Sequence, residues 1–77
     1  MEVYPNPAKA HFNLQIQSKF EKGQAVLRDI TGRIIHQEKL VSGSTALRFE
    51  TAHLRAGMYL LIVELDGKVK TEKVVLR

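Results

Sequence analysis

Apolar and polar positions alternate with a period of two along most of the chain, and turn-forming clusters interrupt the alternation every eight to twelve residues or so. The clearest run is His11-Phe12-Asn13-Leu14-Gln15-Ile16-Gln17, in which Phe12, Leu14 and Ile16 share one face. It predicts a half-buried strand. Glu21-Lys22-Gly23 predicts a turn, Gln24 to Asp29 a strand, and Asp29-Ile30-Thr31-Gly32 a reversal in which Gly32 suits a positive φ. Arg33 to Leu40 follows as the hairpin partner. Val41-Ser42-Gly43-Ser44 breaks the pattern before Thr45, Leu47 and Phe49 alternate with Ala46, Arg48 and Glu50 as another half-buried strand. From Met58 to Leu65 the alternation stops, because Met58, Leu60 and Ile62 lie on one face and Tyr59, Leu61, Val63 and Leu65 on the other. Such a strand is expected at the centre of a sheet and covered on both faces. Asp66-Gly67 is a strong two-residue hairpin signal, and Lys68 to Leu76 is the returning strand.

No stretch shows helical periodicity, and six or seven short strands read as an all-β fold, a small antiparallel sandwich. Both prolines, Pro5 and Pro7, sit at the start, where each fixes its own φ and extends the residue before it. They make a stiff opening into the domain. Leu54 followed by Gly57 and Tyr59 reads as a tyrosine corner, in which the phenol bonds back to the preceding loop.

Composition adds boundaries. The 77 residues make one small domain, and 44% hydrophobic with 26% charged residues is the balance of a packed globular chain. Without cysteine, neither a disulfide scaffold nor a thiolate metal site compensates for the small size. No apolar run is long enough to span a bilayer, so direct membrane insertion is not expected. Met1-Glu2 leads straight into a strand-like segment and reads as the start of a piece cut from a longer chain. A missing signal peptide then says nothing about export. The net charge of +4 comes from basic residues scattered among acidic ones, and aromatics make up only 6%. Nucleic-acid binding is not expected from that pattern.

Candidate chemistry is sparse. His11, His36 and His53 lack the companions at metal-site spacing, and solvent-facing positions account for them. Ser42, Ser44 and Thr45 have no neighbouring base and suit local backbone bonds. Asp29 and Asp66 precede glycine-bearing turns, where side-chain-to-backbone bonding is the ordinary role. Gly32 and Gly67 are turn glycines, not a phosphate cradle. No catalytic residue, metal ligand or cofactor site emerges, and an enzyme is not expected.

The Tyr4-Pro5-Asn6-Pro7 opening, the Asp29-Ile30-Thr31-Gly32-Arg33 hairpin, the Leu54-Arg55-Ala56-Gly57-Met58-Tyr59-Leu60 block and the terminal Lys73-Val74-Val75-Leu76-Arg77 together resemble the C-terminal sorting domains of type IX secretion cargo, known best from the gingipain proteases. The likeness covers essentially the whole chain. It implies an immunoglobulin-like β-sandwich, residues 1–77, that follows a larger passenger and acts as a secretion signal. In that family the passenger crosses to the periplasm, the outer-membrane translocon recognises the domain, and a cell-surface sortase removes it, so that the passenger ends at the surface or outside.

The resemblance also assigns residues. Lys73, Val74, Val75, Leu76 and Arg77 match the terminal motif and are the candidates for recognition by the translocon. Tyr4, Pro5, Asn6, Pro7, Asp29, Gly32, Leu54, Gly57 and Tyr59 match positions whose role is mainly structural. The expected partners are translocon and sortase proteins. A loosely docked terminal strand would allow β-augmentation on a receptor edge and exchange between copies as a domain-swapped homodimer. The sortase cut is expected upstream of Val3. A carbohydrate-binding or adhesive module is the alternative, with Tyr4 and Phe20 as its platform aromatics; a structural extension that stabilises the passenger is another.

Overall fold

The structure is a computed structural model that describes residues 1–6, 8–43 and 46–77. Pro7, Ser44 and Thr45, singled out above, lie outside the described residues. Seven strands follow one another: β1 (Glu2–Tyr4), β2 (His11–Gln15), β3 (Gly23–Asp29), β4 (Ile34–Leu40), β5 (Ala46–Glu50), β6 (Gly57–Leu65) and β7 (Lys68–Leu76). They form two antiparallel sheets, one in the order β1-β2-β5 and one in the order β4-β3-β6-β7. This is the small all-β sandwich that the alternation predicts.

The alternation explains the core directly. In the three-stranded sheet Phe12 and Leu14 of β2 stand opposite Phe49 and Leu47 of β5, and the Phe12 and Phe49 rings stack at 4.8 Å between centroids. Opposite strand positions share a face, so one inward aromatic pair sets the register of both strands. The four-stranded sheet contributes Ala25, Leu27, Tyr59, Leu61, Val63, Val74 and Leu76, all buried. The rings of His36 in β4 and Phe49 in β5 stand at right angles across the two sheets, 5.8 Å between centroids.

Turn chemistry closes the hairpins as the residue types demand. Gly32 N–H donates to Asp29 O at 3.0 Å, and Gly32 holds a φ of 91° that a side chain would oppose. In the β6–β7 hairpin Asp66 and Gly67 both have positive φ, 51° and 82°, the pairing that matches the right-handed strand twist. Asp66 reaches further than its own turn: Oδ1 accepts from Glu21 N–H at 3.0 Å and from Lys22 N–H at 2.9 Å. It ties the β2–β3 turn to the β6–β7 turn.

One expectation is corrected. The apolar run of β6 is central to its sheet, but only one of its faces is covered. Tyr59, Leu61 and Val63 point into the core, whereas Met58, Leu60 and Ile62 lie on the outer face, where no third layer packs among the described residues. Neighbouring side chains of the same sheet half-cover Leu60 and Ile62, and Met58 is 45% exposed.

Candidate functional site

The terminal segment Lys73 to Arg77 is strand for all but its last residue, and its period of two sorts its side chains. Val74 and Leu76 point inward and are fully buried; Lys73 and Arg77 are exposed, and Val75 is half-buried on the outer face. Only Lys73, Val75 and Arg77 are therefore open to a partner while the domain is folded.

The tail is firmly docked rather than loose. On one side β7 pairs with β6 over its full nine residues, from Lys68 opposite Leu65 to Leu76 opposite Gly57. On the other side the opening segment occupies the edge. The Asn6 side chain acts as a surrogate strand, donating from Nδ2 to Lys73 O at 2.8 Å and accepting at Oδ1 from Val75 N–H at 3.0 Å. Ala8 then continues in parallel, with Ala8 N–H donating to Val75 O at 2.8 Å and Arg77 N–H to Ala8 O at 2.7 Å. Five residues of tail are held from both edges. The reason lies in the strand itself: Lys73, Val75 and Arg77 turn their backbone groups away from β6 and would otherwise form an open sheet edge.

The other motif segments meet at the same end of the sheet. Asp29 stands opposite Tyr59 across β3 and β6, and Tyr59 stands opposite Val74 across β6 and β7. Tyr59 is 7% exposed, and its Oη donates to Arg55 O at 2.8 Å, pinning the loop that leads into β6. Leu54 packs against the core beneath that loop, and Leu54 N–H donates to Thr51 O at 2.9 Å. Gly57 has a φ of 149°, a region that side chains avoid, and space is not its reason, since a Cβ there would touch nothing within 4 Å. Tyr4 is 45% exposed at the end of β1, joined to Pro5 by a cis peptide bond.

Asp29 carries the strongest local electrostatics. Its Oδ1 accepts from Thr31 Oγ1 at 2.6 Å, Thr31 N–H at 2.9 Å and Arg33 N–H at 3.0 Å, and its Oδ2 lies 3.6 Å from Arg33 Nε. The Thr31 hydroxyl above all holds this carboxyl below the usual aspartate value; desolvation opposes it, and the two backbone donors and the guanidinium add to the lowering.

Among the described residues no three of His, Cys, Asp or Glu converge as metal ligands would. His36 and His53 border the same cleft; His36 lies 3.6 Å from Glu38, and His53 is exposed in the β5–β6 loop. Phe20, expected on a carbohydrate platform, is instead a core residue at 5% exposure, which leaves Tyr4 as the only one of that pair at the surface. Phe20 fills space above Gly23, whose hydrogen would be replaced by a Cβ 3.1 Å from the ring. Sequence reasoning missed Ala8, which is fully buried and completes the tail's outer edge. A single alanine after a proline carries no periodic signal that could have marked it.

The structure is thus a two-sheet β-sandwich whose first and last segments are stitched together, with all four motif segments gathered at one end. The chain belongs to the family of secretion system C-terminal sorting domains, whose sequence profile it matches over residues 2–77. It is a C-terminal sorting signal for type IX secretion. Such a tail implies interaction with the secretion machinery and export to the cell surface or beyond. No helix is long and apolar enough to cross a membrane among the described residues. No curated protein matches the chain significantly.

Proposed function

We propose that the translocon reads this domain as a folded label, through the outward side chains Lys73, Val75 and Arg77, while Val74 and Leu76 anchor the tail in the core. The observation that carries this reading is the alternation of the docked tail, which leaves two cations and one aliphatic side chain facing solvent on a strand held from both edges. The cations suit an acidic receptor groove. Further along the same strand, Val69 and Thr71 turn their backbone groups to an edge that Asn6 and Ala8 do not occupy. β-Augmentation by a receptor strand fits that stretch, whereas pairing with residues 73–77 requires release of the opening segment first.

The domain follows a passenger, and a surface sortase cuts upstream of Val3. Exchange of β7 between two copies as a domain-swapped dimer requires breaking the full β6–β7 ladder and the Asn6 and Ala8 bonds. It is therefore slow once the monomer has folded.

The test replaces outward residues without touching the anchors. In a type IX-secreting cell, an exported fluorescent reporter ending in this chain is compared with its Lys73→Glu/Arg77→Glu variant and with a truncation lacking the last five residues. Both altered reporters are expected to stay in the periplasm, and the purified double variant to melt as the parent does. Normal export of the folded double variant overturns recognition by these side chains.

A further inference from the structure

The two outer faces of the sandwich differ in a way that the fold does not require. On the three-stranded sheet, opposite positions bring together Glu2 and Gln15, Tyr4, Asn13 and Arg48, and His11 and Glu50. That face is polar and carries an Arg48–Glu50 ion pair at 2.7 Å. On the four-stranded sheet the corresponding face holds Val26, Met58, Leu60, Ile62, Val69 and Val75. Val26 stands opposite Ile62, Met58 opposite Val75, and Leu60 lies between Arg28 and Lys73. Met58 and Val69 are 45% and 57% exposed. The stretch from Met58 to Glu64 runs roughly 20 Å along the strand, and β3 to β7 spans about 10 Å across it. Charged groups border it: Arg28, Lys39 and Lys73 against the single carboxylate of Glu64.

We infer that this apolar sheet face, with Leu60 and Ile62 at its centre and Arg28, Lys39 and Lys73 on its rim, is the docking surface for a protein of the secretion machinery that offers an apolar centre and an acidic rim. Charge complementarity decides the occupant. A second copy brings three cations and one carboxylate against the same set, which repels, and the apolar patch is well short of the roughly 800 Å² per partner that a stable dimer buries. A lipid surface calls for side chains that reach several ångströms into the headgroup layer. Val26, Leu60, Ile62 and Val75 are instead packed low among their sheet neighbours, suited to a flat protein surface. The face is continuous with the tail, since Lys73 and Val75 belong to both. The inference thus rests on the tail reading proposed above and extends it from one strand to the whole sheet face.

The reporter assay separates the two. Leu60→Thr/Ile62→Thr removes the apolar centre while keeping strand-compatible side chains, and Arg28→Glu/Lys39→Glu reverses the rim without touching the tail. The purified domains are followed by thermal melting, by light scattering and by sedimentation with anionic phospholipid vesicles. Both face variants are expected to remain folded and monomeric and to lower export about tenfold or more, the loss typical of a central interface residue. Parental export by both face variants, with the Lys73→Glu/Arg77→Glu reporter retained, overturns the docking face and leaves the tail reading standing. Parental export by all three overturns both. If the threonine pair melts below the growth temperature, the charge reversal decides alone, since every apolar side chain is then in place. Vesicle binding or dimerisation that disappears in Leu60→Thr/Ile62→Thr while export stays normal assigns the face to lipid or to a second copy and overturns the inference.

Discussion

Asp29 and Gly57 show how much a single position settles in so small a domain. The Asp29 carboxylate organises the β3–β4 turn by accepting from Thr31 and Arg33, and those bonds hold its pKa below the ordinary value. A carboxyl depressed on folding stabilises the native state above its unfolded pKa, and that contribution fades as pH falls through the native one. Urea unfolding is therefore expected to find the parent more stable than Asp29→Asn at pH 7, with the difference closing as pH drops below about 4. A constant difference across that range defeats the assignment. Gly57 acts through backbone geometry alone, because open space surrounds the position a Cβ would take. Gly57→Ala is expected to cost about 2 kcal/mol and to lower Tm by roughly 10 °C, read from a thermal melt. Asp29 and Gly57 were both legible as turn and corner residues, since carboxylates and glycines have few other reasons to stand at such junctions.

β7 carries the residues proposed for recognition, and its docking depends on a residue nearly seventy positions earlier. Asn6 offers a donor and an acceptor in the spacing of a strand backbone and so occupies Lys73 O and Val75 N–H together. Asn6→Ala leaves the Val75 amide unpaired. Amide exchange at Val75 is expected to quicken at least tenfold, a change of about 1.4 kcal/mol, while Leu61 in the central strand keeps its protection. Equal exchange at Val75 in both proteins would show that the opening segment does not hold the tail. The strands themselves were readable from alternation, and β7 from the Asp66-Gly67 turn before it. What the tail's sequence did not disclose is that its outer edge is occupied, because the partner groups are one side chain and one alanine with no pattern of their own.

Across the whole molecule, the two sheets close a core on their inner faces and leave two unlike surfaces outside. The four motif segments are separated along the chain by up to some seventy residues, yet Asp29, Tyr59, Val74 and Asn6 lie side by side at one end of the four-stranded sheet. Stitching the first residues to the last explains how so small a sandwich keeps a terminal strand in place: the strand is an edge only over its first half. The tail's outward side and the apolar outer face adjoin as one continuous surface, the one proposed above for a receptor. By itself the sequence determined the strands, their inward faces and the turn residues, because a period of two and the φ demanded of Gly32 and Gly67 are local properties. Only the tertiary structure decided that β6 is covered on one side alone, that Phe20 is core, and that the tail is clamped. Each of those depends on which groups from distant parts of the chain arrive as neighbours, and pairing between distant strands leaves no trace in the spacing of residues along either one.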